Sequence, residues 1–338
     1  LYWGFFGFKL CLMNILYGIQ GTGNGHLSRG EYIYNLLKKY STNIDVLISG
    51  DNYSLKPSMP IKYTNKGITF SINNGKIDYL KTLSNLDLIT SFLEQRDIPF
   101  KKYDLIITDF EPITAWSSIR YKIPSIHISH QASFLEESVP RPASRSIIGE
   151  YIMKYFCPTN DYIGLHYQKY GDSISEPIIS TRIQNCSTQL KNHITVYLSW
   201  YNDDFLLNFF KKIPDLNFHI FSKNITQPKT QGNCFFYPTN QVDFLESMRT
   251  SFGVICNAGF QTSSEVIYLG KRLIVIPVEG QYEQLCNVVA LEKMGICSLS
   301  EINSDAISVI KKWLKSKPIK IKFQNNLEDF LDKKITKK

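Results

Sequence analysis

The segment Ile15–Gly30, ILYGIQGTGNGHLSRG, sets three glycines at alternate positions, Gly21, Gly23 and Gly25, against a histidine, His26. An apolar, strand-like run precedes them and an amphipathic helical pattern follows. Glycine has no Cβ, so such a loop turns tightly and lets a ligand approach the main chain. Two chemistries want that arrangement: a phosphate held by bare N–H groups, or a proton acceptor at the edge of a closely bound substrate. An imidazole, which ordinarily titrates near neutrality, suits the second. A base of this kind needs an orienting partner, and LIITDFEP (105–112) offers carboxylates at the end of a predicted strand. Asp109 is the preferred orienter of His26, with Glu111 in reserve. A helix cap ahead of Pro112, or an acidic metal-binding pair, are the competing readings of these residues.

A second constellation lies in CNAGFQTSSEVIYLGKRLIVIPVEGQYEQLCNVVALEKMG (256–295). A strand ending at Asn257 turns at Ala258-Gly259 into a helix predicted to begin near Thr262. Gly259, Phe260 and Thr262 then frame a helix N-terminus, whose free N–H groups and positive dipole end suit a diphosphate. Glu265, in the first turns of that helix, is placed to accept two hydrogen bonds from ribose hydroxyls, each contributing about 1.5–3 kcal/mol. Pro277 and Gly280 mark a loop into EQLCN, which brings Glu283, Gln284 and Asn287 to the same edge. A glutamine amide both donates and accepts, as sugar hydroxyls require. His127 and His130, in SIHISHQASF, fall on opposite faces if both lie on a strand, which disfavours a shared ion. The stretch FLEESVPRPASRSIIGEYIMKYF mixes Arg141, Arg145 and Lys154 with apolar residues. It reads either as a plain surface helix or as a face that touches lipid.

The elements that must position these groups alternate along the chain. NILYGI (14–19), IDVLIS (44–49), YDLIIT (103–108) and PSIHIS (124–129) read as buried parallel strands. RGEYIYNLLKKY (29–40) has helical spacing, with Lys38 and Lys39 in its last turn. After an irregular stretch at 165–193 the pattern restarts with ITVYLSW (194–200), NFHIFS (217–222), SFGVICN (251–257) and RLIVIPV (272–278). This predicts an α/β protein of two Rossmann-like, doubly wound domains facing across a cleft. The expected division is 13–185, 186–316 and a basic C-terminal helix or tail at 317–338, behind an apolar leader at 1–12.

The 338 residues suffice for two well-buried cores, and 43% apolar content excludes disorder. Seven scattered cysteines without a C-x-x-C pair point to reduced, cytoplasmic thiols and away from structural zinc. The net charge is +8, of which ten lysines less three acids place +7 in the last 28 residues. That end reads as a solvated helix or as a contact for anionic lipid. The leader LYWGFFGFKLCL is too short to span a bilayer, which takes about 20 residues. It is expected to be an upstream extension ahead of Met13 or a small membrane-touching element.

The 256–295 segment resembles the donor-binding signature of GT-B glycosyltransferases. It resembles the type that makes lipid II (the MurG type) and, more closely, bacterial and archaeal glycosyltransferases with NAGF…SE…LGK…P…GQ.EQ…NA at this place. GTGNGH resembles the same family's G-G-T-G-G-H loop. The resemblance implies an inverting, metal-independent transfer of a sugar from a nucleotide diphosphate, UDP foremost, to a lipid-linked or glycan hydroxyl of the cell envelope. It implies His26 as the general base, Glu265 on the nucleotide ribose and Gln284 on the donor sugar. Glu283 stands where lipid II enzymes tend to carry another glutamine. Ser199, in LSWYNDD, matches a phosphate loop usually rich in glycine, and Arg182, in ISTRIQN, resembles an arginine that meets the donor phosphate. No cofactor, metal or nucleic acid is implied; a peripheral site on the inner face of the plasma membrane is. Three rivals remain. A sugar-nucleotide 2-epimerase shares the fold but wants further acids. A non-catalytic nucleotide-sugar sensor would not need His26. A dinucleotide oxidoreductase would use Asp51, which lies 30 residues past Gly21 where about 20 is expected.

Overall fold

The computed structural model describes residues 13–21, 23–50, 53, 57–66, 72–73, 76–77 and 97–335. The leader at 1–12, Asp51 and the last three residues lie outside the described residues. The first sheet starts with β1 (Asn14–Gln20), followed by α1 (Asn24–Leu37), β2 (Asn43–Ser49) and β3 (Tyr63–Asn65). A small ribbon, β4 (Ile72–Asn73) and β5 (Lys76–Ile77), comes next. The chain then runs through β6 (Leu105–Asp109), α2 (Pro112–Tyr121), β7 (Ser125–Ser129) and α3 (Ile147–Tyr155). β8 (Asp161–Leu165) and β9 (Ile174–Ser175) close the sheet at its edge. Its order is β3-β2-β1-β6-β7-β8-β9, parallel throughout.

A short helix, α4 (Thr181–Gln184), leads to the second sheet. That sheet is built from β10 (His193–Tyr197), α5 (Asp203–Phe210), β11 (Asn217–Ser222), β12 (Lys229–Gln231), β13 (Cys234–Pro238) and α6 (Gln241–Thr250). β14 (Gly253–Asn257), α7 (Phe260–Leu269), β15 (Arg272–Ile276), α8 (Tyr282–Lys293) and β16 (Cys297–Ser298) follow. Its order, β12-β13-β11-β10-β14-β15-β16, is parallel except at the edge strand β12. The two doubly wound sheets are those the alternating pattern predicts. In each, the chain leaves its first strand to one side and returns on the other. The carboxyl ends of β1 and β6, and of β10 and β14, are therefore neighbours at topological switch points, where α/β ligands bind.

Several boundaries differ from expectation. α1 starts at Asn24, five residues before the predicted Arg29, with the extended Gly23 (φ 174), the middle glycine of the run, as its cap. His26 thus sits within the first turn, and the helix ends at Leu37, with Lys38 as its cap. β10 ends at Tyr197, leaving Ser199 beyond the strand.

After α9 (Ala306–Trp313) the chain crosses back to the first domain as α10 (Leu327–Ile335). Leu327, Leu331 and Ile335 are buried in one core with Leu36, Leu37 and Tyr40 of the first domain. Lys39 pairs with Glu328, and Lys334 with Asp161. The apolar face of this lysine-rich end is docked, while lysines such as Lys320, Lys322 and Lys333 stay exposed.

Candidate functional site

The His26 cluster is built at the switch point of the first sheet. The Gly21 N–H donates to Ser49 O at 2.6 Å, and a Cβ on Gly21 would fall 2.6 Å from Gly50 O, so only glycine fits there. That contact delivers the chain to the start of α1. His26 Nδ1 lies 2.9 Å from Asp109 Oδ1, at the end of the neighbouring strand. Asp109 is fully buried, while the His26 side chain keeps 12% of its surface exposed. Among the described residues, no group is hydrogen-bonded to the His26 Nε2. Asp109 also receives Arg29, whose Nε donates to Oδ2 at 2.7 Å and Nη2 to Oδ1 at 2.6 Å. Burial alone would push the Asp109 carboxyl up; the Arg29 guanidinium and then His26 outweigh it and hold it down at about 2.

Glu111, the reserve orienter, is instead the cap of α2. Its carboxylate accepts from the Ile113 and Thr114 N–H groups and from the Ser49 and Thr114 hydroxyls. The direction change between Asp109 and Glu111 is made by Phe110 at φ 54, a left-handed conformation unusual for a bulky residue. Its buried ring stacks on His127 and packs on Phe156, which holds the turn in place. His127 is pushed down to about 3 by burial and is neutral. His130 is past the end of β7, so the opposite-face argument applies to His127 alone. No cluster of three or more metal-ligating side chains occurs among the described residues.

The Glu265 constellation lies across from it, on the second domain. α7 begins at Phe260, two residues before the predicted start near Thr262, with extended Gly259 (φ −72, ψ 137) as its cap. No side chain caps this end, and a Cβ on Gly259 would meet nothing within 4 Å. Glu265, Thr262 and Arg182 line one cavity of 140 Å³ with Ser28, Tyr197 and Phe244. Gly25 closes the same cavity from the first domain, a Cβ there lying 3.5 Å from the Gln261 Cβ. Burial pushes the Glu265 carboxyl up to about 7, a hydrogen bond from Gln261 Nε2 (2.8 Å) offsetting part of the rise. The Ser199 N–H donates to Asn257 Oδ1 at 3.1 Å, joining the ends of β10 and β14.

The remaining residues of EQLCN make the contact between domains. The Asn287 Nδ2 donates to Ala258 O at 2.9 Å, and its Oδ1 lies 2.6 Å from His130 Nε2. His130 donates from Nδ1 to Leu165 O and stacks on Phe260 at 3.9 Å between ring centres. Phe260 is therefore an inter-domain plug. Glu283 accepts from Gln131 Nε2 at 2.8 Å. Gln284 is engaged within its own loop, accepting from the Val278 N–H and donating to Gln281 Oε1. Arg141 is pinned to Glu150 and to the Phe134 and Glu136 carbonyls, so it is no part of a free basic surface.

Arg29 is the residue the sequence reading missed. Its signal was the H-x-x-R spacing, which places it one turn from His26 on the same helix face.

Twin doubly wound domains, with a histidine–carboxylate contact at the switch point of one and an open helix N-terminus at that of the other, have the architecture of a GT-B glycosyltransferase. A family model described as glycosyl transferase family 1 matches residues 13–318, and the chain belongs to that family. Among solved structures it is similar to the glycotransferase of kitacinnamycin (12% identity, 96% of this chain and 95% of that chain, TM-score 0.58). It is also similar to Acinetobacter baumannii MurG (14% identity, 95% and 99%, TM-score 0.55). Arabidopsis thaliana UGT89C1 complexed with UDP-L-rhamnose matches with 12% identity over 90% and 89%, at TM-score 0.55. Identities this low carry the fold alone. No curated protein sequence matches the chain.

Proposed function

We propose that the chain transfers a sugar from a nucleoside diphosphate, UDP foremost, to a hydroxyl of a lipid-linked or glycan acceptor of the cell envelope, with inversion. The observation that carries the reading is the His26–Asp109 contact of 2.9 Å, on the helix whose Asn24, Gly25 and Ser28 line the cavity that holds Glu265. In this mechanism the acceptor hydroxyl gives its proton to His26 Nε2 as its oxygen attacks the anomeric carbon. The bond from that carbon to the diphosphate breaks, its electron pair leaving with the nucleoside diphosphate. A single displacement inverts the centre. The N-terminus of α7 at Gly259 stabilises the departing charge, the task a metal performs elsewhere. Glu265 accepts from the ribose hydroxyls, and Tyr197 and Phe244 give the same cavity an apolar wall for the base. UGT89C1 with its UDP-sugar supports UDP as the carrier. A peripheral site on the inner face of the plasma membrane draws support from α3, whose Ile147 and Tyr151 are exposed.

Calorimetric titration of UDP, dTDP, GDP and NAD into the wild type and Glu265→Ala tests the reading. UDP is expected to bind, and the variant to lose about 10–100-fold in affinity. Binding of NAD alone, indifferent to Glu265, would return the glycine loop to a dinucleotide enzyme.

A further inference from the structure

Three side chains meet at His26 where the dyad needs two. Arg29 is 4% exposed and forks onto both oxygens of Asp109. Its Nη2 also stands 2.7 Å from His26 Nδ1, which in turn is 2.9 Å from Asp109 Oδ1. Nδ1 carries at most one proton. It either donates to Asp109 or accepts from Arg29, and the three atoms form a triangle in which both bonds cannot exist together. An Nδ1–H faces the guanidinium N–H groups in the neutral tautomer that donates to Asp109 and in the imidazolium alike. The imidazolium, however, adds a positive charge beside the guanidinium at that short distance. The cation therefore opposes protonation of the ring that the carboxylate favours.

We propose that Arg29 is a positioning residue of the transfer: by neutralising Asp109 it keeps His26 an uncharged base until the acceptor hydroxyl delivers its proton. The proposal rests on His26 being the base. An isolated buried carboxylate at 2.9 Å draws a proton onto the imidazole, and a base already protonated accepts nothing from a hydroxyl. With the fork closed, the ring meets a nearly neutral ion pair. The carboxylate still holds Nδ1, and Nε2 has no hydrogen-bond partner among the described residues. The other titratable groups that face this triad leave the balance in place. Tyr17, on β1, is held protonated by burial, and His127, on β7, is neutral. Glu283, on α8, is tied to Gln131. A fork that served stability alone would have no cause to bring Nη2 to the imidazole.

The test reads the imidazole directly, by long-range ¹⁵N–¹H spectra of the full chain across pH. Six histidines make the spectrum tractable, and the His26 signals are assigned by their loss in His26→Gln. In Arg29→Gln the protonation midpoint of His26 is expected to rise by on the order of one pH unit. Arg29→Lys, which restores the charge without the fork, is expected to bring it more than halfway back. An unchanged midpoint in Arg29→Gln overturns the proposal. Should that variant fail to fold, the double change Arg29→Gln/Asp109→Asn leaves no buried charge and is expected to keep a near-wild-type midpoint. Asp109→Asn alone, with Arg29 uncompensated, is expected about one unit lower than the double variant; equal midpoints in the two overturn the proposal. These spectra need no substrate. If His26→Gln releases UDP from UDP-glucose as fast as the wild type, the base reading fails, and the role given to Arg29 falls with it.

Discussion

In the role proposed for it at the ribose, Glu265 makes binding depend on pH through one buried side chain. Its carboxyl is pushed up to about 7, so the empty folded chain retains a proton that the unfolded chain has released. The stabilising contribution of that proton is complete below the ordinary carboxylate range and is lost as pH rises through about 7. A ribose, however, offers donors, and accepting from them calls for the ionised form. Binding below that pH must therefore expel the proton. We predict that affinity for UDP-glucose, whose diphosphate does not titrate in this range, rises up to about tenfold per pH unit below 7 and levels above it. Calorimetry in two buffers of different ionisation heat checks it. Wild-type affinity that is flat from pH 6 to 8 would mean that Glu265 keeps its charge state on binding; Glu265→Gln is expected to be flat. His26, Asp109 and Glu265 were legible in the sequence because each is a reactive type beside a glycine turn or a strand end. Arg29 was not, because a polar residue in an amphipathic helix reads as solvent-facing. Its partner Asp109 lies 80 positions away, where only the sheet order brings it close.

At the scale of elements, the site depends on how α2 is fastened to the sheet. The Glu111 carboxylate accepts from the Ile113 and Thr114 N–H groups at 2.9 and 2.7 Å and from the Ser49 hydroxyl of β2 at 2.7 Å. It thereby ties a helix start to a strand on the far side of β1, while Phe110 turns Asp109 toward His26. Glu111→Ala would leave those donors buried without partners, at a cost of about 2–3 kcal/mol for cap and orphaned groups together. In a chain with domains of this size that predicts a fall in Tm of about 5–10 °C, with Glu111→Gln losing less. Thermal unfolding followed by circular dichroism decides; an unchanged Tm in the alanine variant would show that the cap does not hold α2. The long parallel strands were legible because strands covered on both faces are apolar throughout. The short edge strands β9, β12 and β16 were not, since two or three residues leave no period to read. The early start of α1 was hidden by its own glycines, which score against helix although Gly25 lies inside it.

For the whole molecule, the question is which face meets the acceptor's surroundings. Most of the net charge lies in the C-terminal segment, whose α10 packs its apolar face into the first domain and pairs Lys334 with Asp161, tying this end to the body of the protein. No helix of the described residues is long and apolar enough to cross a membrane. The opposite case is α3. One side of it is fixed against the second domain, Gly149 packing on the Tyr282 ring and Glu150 accepting from the Tyr282 hydroxyl. The other side leaves Ile147 at 86% and Tyr151 at 65% exposure, beside Lys154 on the same helix. For the proposed lipid-linked acceptor, an apolar face next to a basic residue, anchored to both domains, would be a suitable support. We predict that the wild type floats with vesicles of phosphatidylglycerol and phosphatidylcholine at low salt. Ile147→Asp/Tyr151→Asp should weaken that partition about tenfold or more, since each side chain contributes on the order of 1 kcal/mol when half-inserted. The same variant should bind UDP as the wild type does, because α3 contributes no residue to the Glu265 cavity. Wild-type protein left entirely in the aqueous fraction would remove the membrane from the proposal and turn the search for an acceptor to soluble glycans.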